Sequence, residues 1–262
     1  MKRTIFLIYG LLCYFAFFGA FTYLMGFTGN LLVPKGIDGE LSVPLWQAIV
    51  INLSLIALFG LQHSIMARSW FKKRWTKIIH PAIERSTFVL LSSVALVLLF
   101  YFWQPMGGIV WQIEHPFLVG ALWATFAFGY ALVFASSFAI NHFDLFGLRQ
   151  VWFYFRNKHY EELKFRVPLL YRFVRHPLYL GVLIAFWSAG TMSYTRLFFA
   201  VFFTVYTLRA ITWEEKDLIT HFGETYRKYK KQVPKIIPFR FGKKEAEPKY
   251  TSIVPKDSKQ AS

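Results

Sequence analysis

The sequence predicts an all-α integral membrane protein with about six spans, four separate ones and then a C-terminal helical hairpin. Three observations carry this. The chain of 262 residues is 55% hydrophobic, above the ~45–50% apolar share of soluble domains. Yet its formal net charge is +16, so apolar and basic residues must occupy separate zones. Several stretches with little or no charge also reach the roughly 17–25 residues that cross a bilayer.

The first span covers residues 5–27 and carries no charge. Its apolar run exceeds a signal-peptide core and no small-x-small site ends it, so it reads as a retained helix. The second covers 43–67, with Asn52, Gln62 and His63 as its polar interruptions. The third and fourth cover 86–103 and 117–140. The last apolar block, 178–211, is too long for one helix and is pinched at "SAGTMSYTR". It reads as a hairpin whose first arm, 178–192, is short for a full span.

Charge orients these spans. Of the 30 lysines and arginines, all but Lys35 and Arg196 fall on one set of alternating loops and the two ends. The positive-inside rule makes that side cytoplasmic, with both termini there. The basic excess then reflects orientation and attraction to anionic lipid, and nucleic acid is not needed to explain it. A single cysteine, Cys13, excludes an intramolecular disulfide and a cysteine-rich metal site. The seven histidines show no zinc spacing, and there is no P-loop or GxGxxG. No metal is expected. Residues 1–240 read as one membrane domain and 241–262 as a disordered basic tail.

Four polar clusters sit on the cytoplasmic side. "RFVRHPLYLG" places Arg175 and His176 before Pro177, which suits the first turn of a helix. Backbone N–H groups there attract anions. Tyr179 and Gly181 lie one turn in, and glycine permits a close backbone approach. The bland alternative is an interfacial belt of Arg and Tyr. In "TWEEKDLITHFGETYRKYKKQVP", Glu214 and Glu215 follow a span directly, and carboxylates at a bilayer boundary are costly unless paired or useful. Leu218, Phe222, Tyr226 and Tyr229 then recur at helical spacing, an amphipathic cytoplasmic helix. The charge run 227–231 reads as solvated or lipid-facing. "INHFDLFGLRQVW" carries His142, Asp144 and Arg149. His142 and Asp144 suit a base and an orienting carboxylate if the chain turns there; an interfacial loop with satisfied polar groups is the alternative. Last, "LQHSIMAR" places His63 inside a span, and intramembrane histidines are often functional. An Arg68–Glu84 ion pair stapling two helices explains that region equally well.

The first two clusters together resemble the membrane methyltransferases of the isoprenylcysteine carboxyl and phospholipid type: RHPxYxG, a hairpin, a Glu-Glu pair and FGxxYxxY. "LQHSIMAR", "HPAIERS" and "INHFDLFGLRQVW" are similar to the nurim-like branch, which includes bacterial methanethiol S-methyltransferases. The resemblance implies S-adenosylmethionine as cofactor, in a pocket mainly within 141–240. Arg175, His176, Tyr179, Gly181, Glu214 and Glu215 would bind it. It further implies a small thiol, methanethiol, as acceptor, and a site facing the cytoplasm of a bacterial membrane. His142 would act as base, oriented by Asp144, with Arg149 as electrostatic support. The rivals are a phospholipid or isoprenylcysteine-type methyltransferase and a non-catalytic nurim-like protein.

Overall fold

A computed structural model describes residues 1–161 and 163–238. The expected tail, 241–262, and the expected domain boundary at residue 240 lie outside the described residues. Among the described residues, five helices are long and apolar enough to cross a membrane: α1 Lys2–Gly29, α2 Leu45–Met66, α4 Pro81–Phe102, α5 Pro116–Ile140 and α10 Tyr194–Phe222. Their outer faces expose large apolar side chains such as Leu12, Phe15, Trp46, Val97 and Phe117, the pattern of helices solvated by lipid rather than water. The inner faces bury a core that includes Phe27, Leu99, Trp103, Tyr130 and Phe199. Short helices lie in the connections: α3 Ser69–Trp75, α6 His142–Leu145, α7 Leu148–Phe155, α8 Leu169–Phe173 and α11 Glu224–Gln232.

The C-terminal hairpin is less symmetric than the hydropathy implies. Its first arm is α9, Pro177–Trp187, only 11 residues long. At ~1.5 Å per residue it spans about half of the roughly 30 Å hydrocarbon core. The chain then runs on without helix into β2, Thr191–Ser193, which pairs antiparallel with β1, Ile109–Gln112. This two-stranded ribbon, absent from the sequence-based expectation, ties the loop after α4 to the turn before α10. An Asp38–Arg196 ion pair at 2.5 Å closes the same end.

Helix α9 lies in intimate contact with α5, and two glycines make this feasible. A Cβ on Gly181 would fall 2.5 Å from the Gly129 carbonyl oxygen, and one on Gly129 would fall 2.7 Å from that of Gly181. Small residues at such a crossing let helix backbones approach closely where lipid supplies no hydrophobic drive.

The second arm is longer than expected. Helix α10 is capped by Ser193, whose Oγ accepts from the Arg196 N–H at 3.0 Å. It continues past residue 211 to Phe222, so Glu214 and Glu215 stand on it as helical residues. Gly223, with φ 56°, then turns the chain into α11. The expected continuous amphipathic helix is therefore broken. Its apolar face, Tyr226, Tyr229 and Val233, packs on Phe165, Leu218 and Phe222 of the chain itself.

Candidate active site

Glu215 is the centre of a closed polar knot. It is 3% exposed, and a carboxylate so placed needs partners for both oxygens. Oε1 accepts from Arg175 Nε at 2.8 Å and Nη2 at 2.7 Å, and lies 3.2 Å from His176 Nε2. Oε2 meets Lys230 Nζ at 2.8 Å. The Arg175 Nη1 donates to the carbonyls of Lys230, at 3.0 Å, and Val233. The Arg175 and His176 amides donate to the Pro234 and Lys235 carbonyls at 2.9 and 3.2 Å. The entrance of α9, the last turns of α10 and the end of α11 thus meet on one carboxylate. Arg175 has every nitrogen committed to the protein.

Glu214, its neighbour, is left open. Consecutive helical residues diverge by about 100°, so only one of the pair can face this knot. The Glu214 side chain is 41% exposed, yet its Oε2 is shut off from solvent and accepts no hydrogen bond from any described residue. His176 Nδ1 stands 3.8 Å away, too far for one. Tyr179, whose ring lies 5.7 Å from that of His176, interacts with Glu214 from α9. A buried carboxylate oxygen without a donor is costly, and a ligand that brings donors relieves it.

The loop after α5 does not bring His142 and Asp144 together. Both ring nitrogens of His142 are occupied, Nε2 by the Tyr14 hydroxyl and Nδ1 by Ser137 Oγ, each at 2.9 Å. Its ring stacks on Phe138 at 4.2 Å, and burial pushes the imidazole below its ordinary value. Asp144 instead accepts from Arg149 Nη1 at 3.0 Å and from the Tyr160 hydroxyl at 2.9 Å. Burial, and then this carboxylate, push the Tyr160 phenol up to about 12. Asp144 and Tyr160 line a cavity of about 760 Å³ with Glu84, Arg85, Asn141 and Gln150. Glu84 Oε1 and Gln150 Oε1 are buried there without hydrogen-bond partners among the described residues.

Other expectations change as well. Gly181 approaches α5, as described above. Arg68 pairs with Asp217 of α10 at 2.9 Å and so staples α2 to α10, not to Glu84. Lys230, read as solvated, closes the Glu215 knot. A signal for it was present: Tyr226, Lys230 and Val233 share one helical stripe. Tyr160 carried no such signal, because it lies in an irregular segment.

The lipid-facing helices define a multi-pass membrane protein with a carboxylate-bearing polar cluster at one end of its bundle. No family profile and no solved structure matches the chain. Curated relatives do. The methanethiol S-methyltransferase of Mycobacterium tuberculosis (strain ATCC 25618 / H37Rv) is 46% identical over 239 residues, covering 91% of this chain and 98% of that protein. The one from Crocosphaera subtropica (strain ATCC 51142 / BH68) is 47% identical over 246 residues, with 93% and 95% covered. Nurim of Xenopus laevis is 30% identical over 221 residues, with 75% and 76% covered. The chain belongs to the methanethiol S-methyltransferase family.

Proposed function

We propose that this protein transfers a methyl group from S-adenosylmethionine to methanethiol, giving dimethyl sulfide, in a bacterial cytoplasmic membrane with the site and both termini facing the cytoplasm. The observation that carries this is identity of 46–47% to named methanethiol S-methyltransferases over nine-tenths of the chain. The orientation rests on the placement of basic residues on alternate loops.

The residues fit the cofactor. It offers hydroxyl and ammonium donors, and Glu214 Oε2 is a buried acceptor that lacks one. Glu214 would hold it with Tyr179 alongside, while Arg175, His176 and Glu215 keep α9, α10 and α11 in register. The cavity beside Arg85 has the volume of a small-molecule site and is far larger than methanethiol requires. When bound, the cofactor supplies an electrophilic methyl on a sulfonium sulfur. The protein's tasks are to align the thiol with that methyl, to exclude water and to accept the thiol proton. A small apolar thiol reaches such a site through the lipid. Asp144 serves by fixing Arg149 and Tyr160 in the cavity wall.

The test is a headspace assay on membranes containing the full chain, given methyl-labelled S-adenosylmethionine and methanethiol. Labelled dimethyl sulfide, lost in Glu214→Gln, is the expected result. Cofactor binding without product would move the acceptor to lipid or another thiol. Neither binding nor product would leave a non-catalytic nurim-like protein.

A further inference from the structure

A thiol must lose its proton to become a good nucleophile, and His142 has no nitrogen free to take it. His63 is placed differently. It lies in α2, one turn before the helix ends at Met66. Its ring sits between those of Phe59, at 5.4 Å, and Phe88, at 4.9 Å. Nδ1 is 3.2 Å from Ser92 Oγ, and Ser92 Oγ donates its own proton to the Phe88 carbonyl at 3.0 Å. A hydroxyl has one proton to give. Ser92 therefore accepts from His63, and Nδ1 carries the ring hydrogen. Nε2 is left with a bare lone pair, and no described residue hydrogen-bonds it.

The surroundings connect this side chain to the Glu214 site. Two cations stand beside it: Arg85 lies 4.7 Å over the Phe88 ring that flanks His63, and Arg68 Nε donates to the carbonyl of Ser64, the next residue, at 3.1 Å. Tyr179, which interacts with Glu214, lies within electrostatic range of both arginines. Ser64, next to His63, lies 3.3 Å from the Tyr206 hydroxyl on α10, two turns before Glu214. Groups from every element packed here converge: Arg68 at the end of α2, held by Asp217 of α10, Arg85 of α4, Tyr179 of α9 and Tyr206 of α10.

We propose that His63 is the base that accepts the acceptor thiol's proton at Nε2, with Arg68 and Arg85 facing the sulfur as it becomes anionic. This rests on the thiol methyltransferase reading above. The S–H proton passes to Nε2. The sulfur electron pair forms the new S–CH3 bond. The donor's C–S bond breaks and its electron pair stays on the donor sulfur, which becomes a neutral thioether. The imidazolium then releases its proton to water, so charge and atoms balance.

The experiment uses the full chain in lipid nanodiscs, with methyl transfer to methanethiol followed from pH 6 to 9. Binding of S-adenosylhomocysteine is measured separately. His63→Gln is expected to keep that binding and to lose about 100-fold or more in kcat/KM at pH 7, the scale of general-base catalysis. The deficit should shrink as rising pH supplies thiolate. It should also be much smaller with an aromatic thiol already ionised at neutral pH. Ser92→Ala, which keeps the imidazole but frees its tautomer, should show a smaller loss of the same pH dependence. Wild-type turnover in His63→Gln, or a loss by one factor at every pH and with both thiols, overturns the assignment. If His63→Gln fails to bind S-adenosylhomocysteine, Ser92→Ala decides: wild-type turnover overturns the assignment, and a pH-dependent loss supports it. No product from the wild-type chain sinks the parent reading, whereas wild-type product with an indifferent His63→Gln sinks only this one.

Discussion

The Glu215 knot and the loop around Asp144 lie at the same end of the helix bundle, and they are built in opposite ways. The loop is local: Asn141, Asp144, Arg149, Gln150 and Tyr160 hydrogen-bond to one another within about one short stretch of chain. The knot is assembled from Arg175, Glu215 and Lys230, brought from three helices and their ends. The local cluster is tied to the bundle at its edges, by Arg85 Nε to the Leu145 carbonyl at 2.7 Å and by the Tyr14 hydroxyl to His142. The assembled one exists only if α9, α10 and α11 are all in place, and it leaves a second carboxylate, Glu214, with an unmet oxygen. On the reading proposed above, fold integrity and ligand binding are divided between adjacent glutamates.

Substitution of the two glutamates is the sharpest way to break this division. Glu215→Gln leaves Arg175 and Lys230 facing a neutral group, with Arg175 deeply buried. Breaking one side of a buried ion pair costs about 3–5 kcal/mol, so a large drop in thermal midpoint and in yield is expected. Among the described residues, Glu214→Gln removes no ion pair shorter than 3.8 Å. It should unfold within about 0.5 kcal/mol of wild type while losing cofactor affinity by about tenfold or more, the scale of a charge-assisted hydrogen bond. Equal unfolding midpoints for the two variants, measured side by side in detergent, would erase the distinction.

The next largest effect concerns the helix that carries the knot's arginine-histidine entrance. Gly181→Val puts a branched side chain where even a Cβ would fall 2.5 Å from the Gly129 carbonyl oxygen. Overpacking of this kind costs about 1–3 kcal/mol. Because it displaces α9 from α5, it should lower cofactor affinity through Tyr179 as well. A valine variant with wild-type stability and affinity would mean that the glycine contact does not position the site.

The long helices were legible because a lipid-facing helix is apolar all round, which leaves length as a clear signal. The short α9 was not, because hydropathy reports burial rather than backbone shape. The apolar run continues through Ala189 and Met192 after the helix has ended at Trp187. Glu214 and Glu215 stood out as a pair, but their separate surroundings depend on which helical face meets α9, and neighbouring residues carry no local mark of that. Proximity misled at His142 and Asp144. Two residues apart, they suggested a dyad, whereas the α6 turn points the imidazole at Tyr14 and Ser137 and the carboxylate at Arg149 and Tyr160.

That last contrast yields the smallest predicted effect on activity, and its pH dependence has a definite sign. His142→Asn removes hydrogen bonds to Tyr14 and Ser137, each worth roughly 0.5–1.5 kcal/mol, and should leave methyl transfer within a few-fold of wild type. Its pH behaviour separates a scaffold from a base. Burial lowers the folded-state value of His142, so the native state favours the neutral ring. The unfolded chain takes up the proton near pH 6.5. The stability contributed by the neutral ring is therefore present above about pH 6.5 and is lost as pH falls below it, toward the lowered folded-state value. His80, lowered by burial and by Lys2, acts in the same direction. Thermal unfolding at pH 7.5 and pH 5 should show a smaller acid loss in His142→Asn than in wild type, with the remainder persisting. A variant that unfolds normally at both pH values but fails to turn over would return His142 to the chemistry.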